Sequence, residues 1–156
     1  MAYIITVQVT LKAQELKIII KNLQKKIPIY PARIKKSILK ALKNEGLNKQ
    51  GEITVSFVSD RLILKLNSKY LNKFTPTDVL AFNLTQGCSG SKDMLADIIV
   101  SVETALRNAK AYKTTVSYEL NLYAIHGLLH LLGYADRSLK DIKVMRKKEL
   151  EYVNPS

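Results

Sequence analysis

The chain has 156 residues, of which 47% are hydrophobic, with a single cysteine and a formal net charge of +12. This is enough chain for one domain with a packed core. It excludes an intrachain disulfide, and no apolar run approaches the roughly 20 residues that cross a bilayer. The lone Cys88 fits a reducing compartment. The N-terminal MAYIITVQVTLKAQ has no basic n-region, and Thr and Gln break its apolar residues, so it does not read as a secretory leader. A cytoplasmic location is therefore expected. The 25 Lys and Arg against 13 Asp and Glu point to a polyanionic partner, RNA above all. A membrane surface is disfavoured, because no basic helix carries a clean aromatic or leucine face.

In chain order, Ile4–Leu11 alternates weakly and reads as a strand. Leu16–Ile27 is ambiguous. Leu16, Ile19, Ile20, Leu23 and Ile27 fit a helical stripe, while Lys17–Lys21 fits a short strand. Arg33–Glu45 reads as a helix with Ile34, Ile38, Leu39 and Leu42 on one face and Gly46 at its stop. Gly51–Val58 alternates as a strand. A short helix begins at Asp60, with Leu62, Ile63 and Leu66 inward. Thr77–Leu84 is a core strand entered through Pro76, Gln86–Lys92 a polar loop, and Leu95–Val100 another core strand. Helices follow at Val102–Tyr112, Val116–Leu132 and Leu139–Val153, the last amphipathic and basic. Strands interspersed with helices, without repeats or a long linker, predict one domain over 1–156. Its helices should pack on a small sheet in an α+β or α/β layer.

The chemistry concentrates in Ala124–Tyr134, AIHGLLHLLGY. His126 and His130 are the only histidines of the chain. Four residues apart on a helix, they lie one above the other and can reach a single metal ion. Leu128, Leu129, Leu131 and Leu132 make the helix apolar nearly all round, so the imidazoles need partners. Two hydrogen-bonded core histidines are the alternative, but the spacing and the turn favour a metal. Gly133 is a natural left-handed terminator, and it lets Asp136 swing back as a third ligand. Two imidazoles and one carboxylate leave a fourth position for water, which zinc would acidify to a pKa of about 7. The residue after His126 is Gly127, where a zinc peptidase of the HExxH type carries its glutamate base. With lysines nearby, a phosphodiester suits such a site better than a peptide.

HGLLHLLGY resembles the HGxLHLxGYDH motif of the YbeY family of rRNA maturation factors, which are metal-dependent endoribonucleases. Leu66–Asn67, Pro76–Phe82 (PTDVLAF) and Leu95–Ile98 (LADI) are similar, in order, to the family's LN, PTDVLSF and LGDI. The resemblance covers residues 17–153 and leaves 1–16 as an N-terminal extension. It implies an α+β fold, a small mixed sheet with helices packed on it and the metal site on a central helix. It also implies one divalent ion, zinc first, and cleavage of single-stranded RNA in small-subunit rRNA maturation and ribosome quality control. The implied partners are rRNA and the ribosomal small subunit.

Two positions depart from the pattern. Asp136 stands where the family has its third histidine ligand, a harder donor that would shift metal choice. Leu71 stands where LNxxYR has an arginine, and it cannot bind phosphate. Lys69 or Lys73 would have to compensate as RNA contacts. Asp78 and Asp97 are candidates to orient a histidine through its second N–H, with turn capping or a buried hydrogen bond as the competing role. Glu119, seven residues before His126, reads as a solvated early-helix acid rather than a neighbour of the site. The general base is not assignable. The leading expectation is thus a metal-dependent endoribonuclease with His126, His130 and Asp136 as ligands. A non-catalytic, ribosome-associated RNA-binding factor of the same fold is the alternative, and a zinc peptidase ranks third.

Overall fold

A computed structural model describes residues 2–11, 14–47, 50–85 and 94–154. Five strands, β1 (Tyr3–Leu11), β2 (Gln14–Asn22), β3 (Gly51–Val58), β4 (Val79–Asn83) and β5 (Met94–Ser101), form one sheet in the order β1-β2-β3-β5-β4. The β2–β3 and β3–β5 pairs are parallel, and the two edge pairs are antiparallel. The helices are α1 (Pro31–Asn44), α2 (Asp60–Leu71), α3 (Val102–Tyr112), α4 (Val116–Leu131) and α5 (Leu139–Val153). The mixed sheet with helices packed on it is the α+β arrangement expected. The polar loop predicted over Gln86–Lys92, with Cys88, lies outside the described residues.

The ambiguous segment is a strand only as far as Asn22. Ile18 and Ile20 are fully buried while Lys17 and Lys21 point to the other face. A two-residue period with β-branched residues wins over the helical stripe. After it, the Gln24 side chain accepts from the Lys26 and Ile27 amides and donates to the Ile27 carbonyl, which holds Leu23–Ile27 as a turn. The first strand is paired with β2 through all nine of its residues. Helix α1 starts earlier than expected because Pro31 suits the first helical turn. Four other helices open on hydroxyl caps, with Ser59, Ser101, Thr115 and Ser138 accepting from the amides of Leu62, Thr104, Tyr118 and Asp141.

The paired registers define two faces. Ile18, Ile20, Ile53, Val55, Ala96, Ile98 and Val100 share one, and they form the main core with Ile34, Ile38, Leu42, Leu120, Ile125, Leu128 and Leu129 of α1 and α4. On the opposite face a smaller cluster of Val58, Ile63 and Leu80 seats α2. Helix α4 is therefore sandwiched between the sheet and α1, α3 and α5, and its histidines emerge at its C-terminal end.

Candidate metal centre

Helix α4 ends in a double-bonded glycine turn. The Gly133 amide donates to the His130 carbonyl and the Tyr134 amide to the Leu129 carbonyl, both at 3.0 Å, with Gly133 at φ +99°. This reverses the chain and returns Asp136 to the histidines. Asp136 Oδ2 lies 3.6 Å from His126 Nε2 and 3.4 Å from His130 Nε2, and the two Nε2 atoms are 3.0 Å apart. Nitrogen and oxygen ligands at about 2.0–2.1 Å from a tetrahedral zinc sit about 3.3–3.4 Å from one another. The triangle has that size.

The protonation pattern makes the same point. His130 Nδ1 faces the Tyr134 carbonyl at 3.0 Å, and a carbonyl can only accept, so Nδ1 carries the proton. His126 Nδ1 donates to Glu149 Oε1 at 2.5 Å. In the neutral rings both Nε2 atoms then bear lone pairs, aimed at each other and at a carboxylate oxygen. Three converging acceptors repel unless a cation lies between them. Burial lowers the His126 pKa, but Glu149, with Asp78 and Asp136 behind it, more than offsets this and raises it above the ordinary histidine value. The same negative field that favours a proton there favours a metal ion. His126, His130 and Asp136 form a group that could hold one, and their side chains are 24%, 34% and 46% exposed, so a further ligand has access from solvent.

Glu149, on α5, was not foreseen. It is 3% exposed and also accepts from Arg146 at 3.3 Å. Its signal was present in the sequence: position 149 falls on the stripe Met145–Glu149–Tyr152 of an otherwise basic helix, and a carboxylate on a buried stripe needs a partner. A second unforeseen group is Glu45, just past α1, which accepts from Tyr134 Oη at 2.7 Å, Lys148 Nζ at 2.8 Å and Tyr152 Oη. Burial pushes its pKa up, and these three donors more than reverse that. Burial, then Glu45, pushes the Tyr152 hydroxyl up to about 12. Glu45 thus anchors Tyr134, whose carbonyl fixes the His130 ring.

Several sequence assignments need correction. Asp97 pairs in register with Thr54 and Phe82, on the face opposite α4, because side chains alternate along β5. It orients neither histidine, and burial there raises its pKa. Asp78 lines the same cleft as His126, but its Oδ1 accepts from the Val79 amide at 2.8 Å and from Thr77. It caps the entry to β4 and adds negative charge, while the orienting carboxylate is Glu149. Glu119 is not solvated: it is 3% exposed and accepts from Thr114 Oγ1 at 2.5 Å. Lys69 and Lys73 are exposed, with Lys69 lying 5.1 Å from the Tyr70 ring centre. Leu71 is 48% exposed. Asn67, of the LN pair, is buried and donates to the Thr75 carbonyl at 2.8 Å, holding the turn that leads to Pro76.

Gly127 is required where it stands. A Cβ there would come within 2.9 Å of Ile98 Cγ2 and 3.0 Å of Val79 Cγ2. The helix touches the sheet at the residue after the first ligand.

A family model described as Endoribonuclease YbeY matches residues 19–156. An Endoribonuclease YbeY of Syntrophus aciditrophicus is 39% identical over 138 residues, covering 86% of both chains. One from Pelotomaculum thermopropionicum is 34% identical over 141 residues, covering 86% of this chain and 93% of that one. The solution structure of a Thermotoga maritima protein superposes with a TM-score of 0.58 at 27% identity, over 88% of this chain and 86% of the other. With a family model matched over residues 19–156 and relatives of 34–39% identity over most of both chains, the chain belongs to the YbeY endoribonuclease family.

Proposed function

We propose that the protein is a metal-dependent endoribonuclease that cleaves single-stranded RNA in the cytoplasm, in small-subunit rRNA maturation and ribosome quality control. The observation that carries this reading is the triangle of His126 Nε2, His130 Nε2 and Asp136 Oδ2, with both Nδ1 atoms committed elsewhere. The names of the relatives and the +12 charge support an RNA substrate. The donor set of two imidazoles and one carboxylate fits zinc, and the carboxylate also admits harder divalent ions. Such an ion, when bound, supplies Lewis acidity toward a phosphoryl oxygen and toward an attacking water. The chain's own residues hold and orient. Glu149 and the Tyr134 carbonyl keep the histidines in the ligating tautomer, and Arg146, at the rim of the same cleft, opposes phosphate charge.

A second reading keeps the fold and the basic surface without cleavage, as a ribosome-associated RNA-binding factor. Leu71, exposed where the family motif has an arginine, is the observation behind it. Metal content of the purified protein, with single-stranded RNA cleavage in the presence and absence of chelator, separates the two. The nuclease reading expects stoichiometric metal, chelator-sensitive cleavage, and loss of both in His126→Ala and Asp136→Ala. Metal-free protein that binds RNA and never cuts it favours the second reading.

A further inference from the structure

The metal triangle stands at one end of a cleft of about 590 Å³ between α3, α4 and α5. Its far end is Glu119, two turns up α4 and about 10 Å from His126 along the helix axis, which is the length scale of one nucleotide. Tyr112, Tyr118, Leu122 and Ile142 give the walls flat or apolar surface, as suits the face of a planar ring.

The polarity of the cleft says which part of a nucleotide enters. Asp78, Glu119, Asp136 and Glu149 line it, and among the described residues Arg146 is its only lysine or arginine. In a chain of net charge +12 this is a local inversion. A phosphate is repelled from the interior and stays at the mouth, near Arg146 and the metal ligands. A group rich in N–H donors is drawn in. Glu119 is the natural acceptor at the far end: the residue is 3% exposed and lines the cleft. Its carboxylate has about four acceptor positions, of which Thr114 and the Tyr123 hydroxyl use two.

We propose that this cleft is a nucleobase subsite that selects a base with adjacent N–H donors, guanine above all, and disfavours uracil. Guanine offers N1–H and its exocyclic amino group side by side, which matches the two oxygens of a carboxylate. Uracil offers one N–H between two carbonyl oxygens, which the carboxylate repels. The consequence for cleavage rests on the nuclease reading; the binding preference does not.

The test uses fluorescence anisotropy of 5′-labelled hexaribonucleotides, all-uridine against the same strand with one guanosine, on the metal-loaded full chain, followed by mapping of any cut. The wild type should bind the guanosine strand about tenfold more tightly and cut at a fixed offset from the guanosine. Glu119→Gln, nearly isosteric, replaces one acceptor oxygen with a donor. It should bring the two affinities within about twofold, by weakening the guanosine strand and not the all-uridine strand, with metal stoichiometry unchanged. Should Glu119→Gln fail to fold, Tyr118→Ala at the half-exposed wall should weaken the guanosine strand roughly fivefold or more and leave the all-uridine strand alone. Equal wild-type affinity for the two strands overturns the proposal, as does a guanosine preference that survives Glu119→Gln or, failing that variant, Tyr118→Ala. Discrimination in binding without any cutting keeps the subsite and removes the nuclease reading. Base-indifferent cutting does the reverse.

Discussion

Removing the carboxylate behind His126 should weaken metal binding in two graded steps. Glu149→Gln keeps an acceptor for Nδ1–H but turns a charge-assisted hydrogen bond into a neutral one. Bonds to charged groups contribute about 1.5–3 kcal/mol and neutral ones about 0.5–1.5. The difference, about 1 kcal/mol, is about fivefold in affinity. Glu149→Ala leaves the Nδ1–H of a partly buried ring without a partner and frees the ring to present its other tautomer. Removal of such an outer partner typically costs about 10–100-fold. Titration with cobalt(II), or with zinc in competition with a chromophoric chelator near neutral pH, reads both values. Thermal melts of the metal-free proteins separate this loss from a loss of fold. Arg146, 68% exposed, contributes little to the difference. Affinities of both variants within twofold of wild type refute the assignment, and so does a loss in Asp78→Asn as large as that in Glu149→Gln.

Tyr134→Phe removes the hydroxyl that Glu45 holds; stability should fall by about 1 kcal/mol in urea titration, and cobalt affinity several-fold as the carbonyl behind His130 loosens. Asp97→Asn, on the far face of the sheet, should leave cobalt affinity unchanged, and a loss beyond twofold would contradict the register. Burial pushes the Asp60 carboxyl up, but Arg107, Ser101 and Thr104 more than offset it and hold it below its ordinary value. Its contribution to stability is therefore present above the ordinary carboxylate pKa of about 3.9 and is lost as pH falls through the lower folded value. Asp60→Asn should flatten the acid side of the urea midpoint-versus-pH curve; because Arg107 is 58% exposed, the change is small, and an unchanged slope would contradict the assignment.

Most elements could be read from the chain because their signals are local. The one-sided stripe of Ile34, Ile38, Leu39 and Leu42 and the two-residue alternation of Gly51–Val58 fix element type without reference to anything distant. The candidate metal group was legible for the same reason, since His126, His130 and Asp136 fall within one helix and its turn. What was missed is the second layer around them. Glu149 meets His126 across 23 positions and Glu45 meets Tyr134 across 89, so only the packing of α1 and α5 on α4 brings them together. Asp97 had two readings, a histidine partner or a buried group at a strand start, and the chain alone could not choose between them. Strand alternation places it behind the sheet, and that face is decided by register with β3 and β4.

Gly127 marks where α4 rests on β4 and β5. In a zinc peptidase of the HExxH type the corresponding position carries the glutamate that takes the proton. Here any side chain at that position would be driven into Ile98 and Val79. The helix can lend ligands but not a base. A proton acceptor must be recruited from another wall of the cleft or from the substrate itself. The way this domain stacks its layers thus steers it away from peptide hydrolysis before any substrate is chosen. Placing a glutamate at position 127 would force Ile98 and Val79 out of their packing before it supplied a base.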